Sequence, residues 1–126
     1  MKAIAANITR GLQPESKVNV CDNSGAKEIK IFSVKGGKSV KRRRVGAGIS
    51  HLVIGSVTKG RPEMMKQVVF AIVVRQRRPY RRPDGTRICF EDNAVVVLKD
   101  DKGTPKGTLF KGPIAKEACS RWPNVA

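Results

Sequence analysis

The side chains that most often do chemistry are few in this sequence and poorly spaced for it. A single histidine, His51, and three cysteines, Cys21, Cys89 and Cys119, lie far apart along the chain. Nucleophilic catalysis needs thiol and imidazole within hydrogen-bond reach, and nothing in these spacings supports such a pair. His51 falls in a strand-like stretch and reads as a packed or surface residue. A zinc site of the usual kind needs paired ligands such as CxxC, and none occurs. The cysteines read instead as small buried or half-buried hydrophobes in a reducing compartment. Glu91 and Asp92, beside Asn93, are adjacent acids; strand neighbours point to opposite faces and make a poor acid–base pair. They are better suited to orienting arginines or capping turns. Asp100 and Asp101 precede Lys102-Gly103 and read as turn chemistry. The glycines at 36, 37, 46 and 48 lack the lysine–serine ending or strand–helix context of a phosphate-cradling loop. No catalytic residue, metal ligand or cofactor is expected.

The chemistry that is present is positive charge. Lysine and arginine total 26 against 10 acids, a formal net charge of +16. Such self-repulsion disfavours a compact state unless a polyanion relieves it, which points to nucleic acid. The charge is also clustered. Lys35, Lys38, Lys41, Arg42, Arg43 and Arg44 crowd one glycine-bearing loop. Arg75, Arg77, Arg78, Arg81 and Arg82 crowd a hairpin arm around Tyr80, and Lys59 and Arg61 flank a further turn. A lone charge run is usually a solvated face. Two dense clusters at loop or hairpin tips favour a phosphate backbone, whose binding releases counterions. The arginine bias adds to this, because a guanidinium binds phosphate bidentately and stacks on bases. Tyr80 has two open readings: a stack for an unpaired base, or a packing aromatic across the hairpin. With aromatic residues at 5%, a sequence-reading stacking platform is not expected, and shape and phosphate recognition of folded RNA fits better.

The elements that must position these residues are mostly strands. At 126 residues with 40% hydrophobic content, the chain is sized for one domain with its own core. Residues 18–21 and 29–34 alternate with period two around the turn residues 22–25, a hairpin pattern. Residues 45–57 resume strand character, with glycines that suggest bends or bulges. Residues 67–75 form the most apolar strand, expected to be buried on both faces. Arg82-Pro83-Asp84-Gly85 is a strong turn signal before a strand at 86–90. An arm of about ten residues would reach roughly 30 Å from its domain. Residues 94–98 are a further strand, and 113–122 the one convincing helix, with Pro113 in its first turn. Its apolar face carries Ile114, Ala115, Ala118, Cys119 and Trp122; Lys116, Glu117, Ser120 and Arg121 take the other. Trp122 reads as a core anchor. The expected fold is mainly β: a small β-barrel with a helical appendage. The longest apolar run, 68–74, falls well short of the roughly 20 residues a membrane-spanning helix needs. No signal peptide pattern opens the chain, so a soluble cytoplasmic protein is expected.

Several motifs carry a resemblance. Cys21-Asp22-Asn23-Ser24-Gly25-Ala26-Lys27, followed by Ile31-Phe32-Ser33-Val34, is similar to the opening of the universal large-subunit ribosomal protein fourteen family. Ala71-Ile72-Val73-Val74-Arg75-Gln76-Arg77, Arg81-Arg82-Pro83-Asp84-Gly85 and Phe90-Glu91-Asp92-Asn93-Ala94 resemble its most distinctive signature. Gly107-Thr108 and Gly112-Pro113-Ile114-Ala115-Lys116-Glu117 resemble its C-terminal pattern. The likeness runs through residues 16–123 in order and spacing. Gln76-Arg77-Arg78 and Cys119-Ser120-Arg121-Trp122-Pro123 resemble the archaeal and eukaryotic branch, and the short ends tilt it to archaeal.

The resemblance implies a five-stranded β-barrel with a projecting β-ribbon and a short C-terminal helical region. On that plan residues 1–126 are one domain, the barrel core about 16–110, the ribbon about 72–90 and the appendage about 111–126. It also implies a structural constituent of the large ribosomal subunit, in the cytoplasm, without enzymatic activity. The implied partners are large-subunit rRNA, neighbouring large-subunit proteins and, through an intersubunit bridge, small-subunit rRNA. In this family the C-terminal region also receives factors that block subunit joining. Carried over, the ribbon arginines become rRNA or protein contacts, and Lys106, Gly107, Thr108 and Lys111 fall in the interface and factor-docking segment. The rival readings are a free-standing RNA chaperone or translation regulator on a similar barrel, and, more distantly, an RNA-processing enzyme.

Overall fold

A computed structural model describes residues 11–13, 15–23, 25–34, 46–62, 65–99, 105–106, 110 and 112–122. Within them run β1 (Lys17–Val20), β2 (Ala26–Val34), β3 (Leu52–Gly60), β4 (Val68–Arg75), β5 (Tyr80–Arg81), β6 (Arg87–Ile88), β7 (Ala94–Leu98) and α1 (Lys116–Arg121). Five of the strands close into a barrel in the order β1-β2-β3-β4-β7, and β5 and β6 pair separately. Every neighbouring pair in the barrel is antiparallel except the closing one, where β1 runs parallel to β7 with Asn19 opposite Ala94. The mainly-β barrel with one short helix is as the sequence predicts.

Burial explains why β4 and β7 read as continuous apolar runs. Inward side chains alternate around the barrel: Val18, Ile29, Ile31, Val53, Val57, Val69, Ala71, Val73, Val95 and Val97 form the interior core. The outward residues of β3, β4 and β7 near the helix are buried too. Leu52, Ile72, Val74, Val96 and Leu98 pack with Ala118 and Trp122 of the helical region. A strand covered on both faces has no position for a polar residue, so alternation disappears. β2 has one solvated face, and its pattern alternates accordingly.

Two glycines have specific work in this frame. Gly55 in β3 lies against β2 so closely that a Cβ there would stand 2.7 Å from the Lys30 carbonyl oxygen. The pairing of β2 with β3 shifts register beside it, between Ile31 and Ser33, the bulge that glycine permits. Gly85 has φ +90 and closes the hairpin turn, its N–H donating to the Arg82 carbonyl at 2.9 Å.

The helix starts later than the sequence predicts, at Lys116 rather than in the turn of Pro113. The cause is docking. Ala115 donates its N–H to the Val74 carbonyl at 2.9 Å, so the chain attaches to β4 in extended form before it coils. Trp122 is the core anchor expected of it, 6% exposed, with its indole N–H donating to the Ser50 carbonyl at 2.8 Å. The cysteines divide: Cys21 is buried and Cys119 half-buried, as expected, but Cys89 is exposed beside the hairpin.

Candidate nucleic-acid interface

The hairpin follows β4 directly. Gln76, between two arginines, is fully buried: its Oε1 accepts the Ile49 N–H at 3.1 Å and its Nε2 donates to the Arg78 carbonyl at 2.7 Å. That side chain turns the strand out of the barrel and fixes the backbone on which Arg77 and Arg78 stand. Asn93 adds a second support, its Oδ1 accepting the Arg77 N–H at 2.9 Å. The turn itself is held by Arg82 N–H donating to the Thr86 carbonyl and by Asp84, whose Oδ1 accepts the Thr86 N–H, both at 2.9 Å. That bond from the Thr86 backbone is the main reason the Asp84 carboxyl sits below its ordinary pKa.

The ribbon is present but short. Its ladder is Tyr80↔Ile88 and Arg81↔Arg87, and its base is folded against the barrel, so the reach of roughly 30 Å is not realised. Of the two readings left open for Tyr80, the structure shows packing. Tyr80 is 0% exposed and belongs to the interior core, so its ring is not available to stack on a base. Its hydroxyl donates to Glu117 Oε2 at 2.8 Å. Arg82 is likewise occupied, its Nε donating to Glu117 Oε1 at 2.6 Å. Arg75 is half-buried with Nε 3.4 Å from Asp92 Oδ1, an ion pair without a hydrogen bond at that nitrogen, while Glu91 is exposed. Arg77, Arg78 and Arg81 are exposed.

Glu117 is what the sequence reading missed. Helical periodicity assigns it to the solvent face, yet it is 5% exposed, because the hairpin covers the side that a lone helix would show to water. Burial pushes its carboxyl up, but the hydrogen bonds from Arg82 and Tyr80 outweigh burial, and its pKa lies below the ordinary glutamate value. The available signal was an acid in the first turn of a short helix, in a chain with arginines to spare.

The other candidates distribute unevenly. The basic loop Lys35, Lys38, Lys41, Arg42, Arg43 and Arg44 lies outside the described residues, as do Gly107, Thr108 and Lys111. The strand leading into the loop ends at Val34, paired with Val53, and so at the same end of the barrel as Arg75 and the hairpin. Lys59 and Arg61 are exposed and lie past Ser56, which pairs with Val68 at the other end of the β3–β4 ladder. Lys59 is 4.0 Å from Glu28 Oε2, too long and too exposed to fix either residue. Lys106 donates its N–H to the Val97 carbonyl and borders a shallow cleft of about 290 Å³ with Val68, Phe70 and Lys99. Among the described residues no group of three histidines, cysteines or acids could hold a metal ion, and no helix is long and apolar enough to cross a membrane.

Comparison with known proteins agrees with these features. The family model described as Ribosomal protein L14p/L23e matches residues 11–126. The large ribosomal subunit protein uL14 of Nanoarchaeum equitans is 57% identical over 126 residues, covering 100% of this chain and 95% of that one. Its namesake in Sulfurisphaera tokodaii is 59% identical over 119 residues, 94% of this chain and 86% of the relative. That of Halobacterium salinarum is 52% identical over 126 residues, 100% and 95% of the two chains. With so much of its length matched by the family model and by archaeal relatives this similar, the chain belongs to the ribosomal protein L14p/L23e family, in its archaeal type.

Proposed function

We propose that this ribosomal protein binds large-subunit rRNA through its arginine hairpin and the neighbouring basic loop, and that it contributes to the contact between subunits. Membership of the family makes it a structural, non-enzymatic constituent of the large ribosomal subunit, working in translation in the cytoplasm. What supports the finer reading is one observation. Arg77, Arg78 and Arg81 stand exposed on a hairpin whose base is buried, at the barrel end where β2 stops at Val34, the residue before the basic run 35–44 in sequence. Arginines on a backbone held at its base, in a protein of charge +16, suit phosphate recognition by docking rather than turnover. Replacing Arg77 and Arg81 together by alanine should weaken association with large-subunit rRNA. The slope of log affinity against log salt should fall by about one unit per lost contact. Undiminished incorporation of that variant into large subunits would remove those arginines from the interface.

The second half of the proposal assigns Lys106, Gly107, Thr108 and Lys111 to the face toward the small-subunit rRNA, and to docking of a factor that prevents subunit joining. Lys106 is exposed and stands well away from the hairpin along the β4–β7 ladder, so one end can hold rRNA while another faces the interface. Sedimentation of large subunits carrying Lys106→Glu, at magnesium levels where subunits partly separate, should show fewer joined ribosomes. An unchanged ratio would confine the protein's role to its own subunit.

A further inference from the structure

Tyr80 and Arg82 stand among the arginines of the hairpin, yet their polar groups converge inward on one carboxylate. The Tyr80 hydroxyl donates to Glu117 Oε2 at 2.8 Å, Arg82 Nε donates to Oε1 at 2.6 Å, and Arg82 Nη2 lies 3.4 Å from Oε2. Glu117 is 5% exposed and Tyr80 0%. Neither of the elements that meet here is stable alone. A hairpin with two cross-strand pairs does not persist in water by itself. A helix of 6 residues without a side-chain cap does not either. The barrel supports both, α1 through Val74 and Ser50 and the hairpin base through Gln76, and Glu117 is the residue that ties one to the other.

We infer that Glu117 is a positioning residue for RNA binding. By clamping Tyr80 and Arg82 it holds the hairpin against α1, so that Arg77, Arg78 and Arg81 meet RNA as one preset surface. Arg82 serves this clamp and makes no essential phosphate contact. The inference rests on the RNA-binding reading above and names what organises that site. It carries an unusual sign. A carboxylate beside an RNA-facing cluster repels phosphate, so neutralising it tightens binding if the cluster is only a charged patch. A clamp requires the opposite.

The test uses the full chain with Glu117→Gln, Arg82→Gln and the double variant, and archaeal large-subunit rRNA transcribed in vitro as the probe. Trp122 fluorescence reports whether each variant is folded. Glu117→Gln should bind about tenfold more weakly, the cost of ordering the arginine side chains at the moment of binding. Its salt dependence should match that of the unaltered chain, because no phosphate contact is lost. Arg82→Gln should behave alike, and the double variant should be no weaker than either single one. Amide exchange at Arg82 and Phe90, bonded to the Thr86 and Gln76 carbonyls, should quicken in all three. Binding by Glu117→Gln that is equal or tighter overturns the clamp and leaves the RNA-binding reading standing. So does a fall of about one unit in salt slope for Arg82→Gln that adds to the effect of Glu117→Gln. Should Glu117→Gln fail to fold, Tyr80→Phe removes one hydrogen bond and keeps the ion pair; about threefold weaker binding is then expected, and unchanged affinity overturns the clamp. If the unaltered chain shows no salt-dependent binding, the RNA-binding reading falls and the clamp with it.

Discussion

Raising the pH on the intact chain should leave Tyr80 protonated long after an ordinary tyrosine has ionised. Burial, first, and then the hydrogen bond to Glu117 push its pKa from 10.0 up to about 12. Between those values the folded chain holds a proton that the unfolded chain has released, so folding weakens as pH rises. Stability from this group is fully present below about pH 10 and declines by roughly 2–3 kcal/mol as pH climbs through 12, two pKa units at the usual conversion. The chain contains one tyrosine and one tryptophan, so tyrosinate absorbance belongs to Tyr80 alone and Trp122 fluorescence reports folding in the same cuvette. The expected record is an absorbance midpoint close to 12, or an earlier one that coincides with a fluorescence change as the chain unfolds. Glu117→Gln should lower the midpoint, because it removes a negative charge that opposes tyrosinate, without bringing it all the way to 10, because burial remains. A midpoint near 10 with unchanged Trp122 fluorescence would refute the reasoning, since it would put the hydroxyl in water.

Other perturbations report on other parts of the fold. Trp122→Ala should cost about 3–5 kcal/mol in urea denaturation as a large buried ring is lost. Trp122→Phe should cost far less, about 1 kcal/mol beyond repacking, for the Ser50 carbonyl left without its donor. Gly55→Ala should lower the melting temperature at a cost of about 1–3 kcal/mol, since its Cβ would meet the Lys30 carbonyl oxygen at 2.7 Å; an unchanged midpoint would show that β2 can move aside. A thiol reagent on the folded chain should modify Cys89 first. Cys21, buried and with its thiol pKa raised by that burial, should react only on unfolding, and mass spectrometry of partly labelled protein distinguishes the two.

The barrel was legible because its rules are local. Alternation in residues 29–34, the unbroken apolar runs of β4 and β7 and the Pro83-Asp84-Gly85 turn each follow from a few neighbouring residues. What was not legible depends on residues brought together from far apart. Tyr80 could be a stacking ring or a core ring until an acid 37 positions away arrived beneath it. Glu117 was misplaced for the same reason, since the periodicity of a helix identifies two faces but not what covers the second one. Arg82 looked like its neighbours in a run of arginines; only its partner sets it apart. The basic loop at 35–44 and Gly107, Thr108 and Lys111 lie outside the described residues.

The parallel pairing of β1 with β7 also dictates when the barrel can exist. Asn19 and Val20 find Ala94 and Val95 only after synthesis has passed residue 95 of 126. Until then a nascent chain can form the β2–β3–β4 meander, with β1 along one side, but it remains an open sheet with unpaired edges and an uncovered apolar inner face. Closure over so long a loop places such topologies among the slower folders, on the scale of milliseconds to seconds. Premature termination before Leu98 would therefore leave a sticky, strongly basic fragment. The same edges that meet at β1 and β7 in the finished barrel would then be open to pairing with other chains.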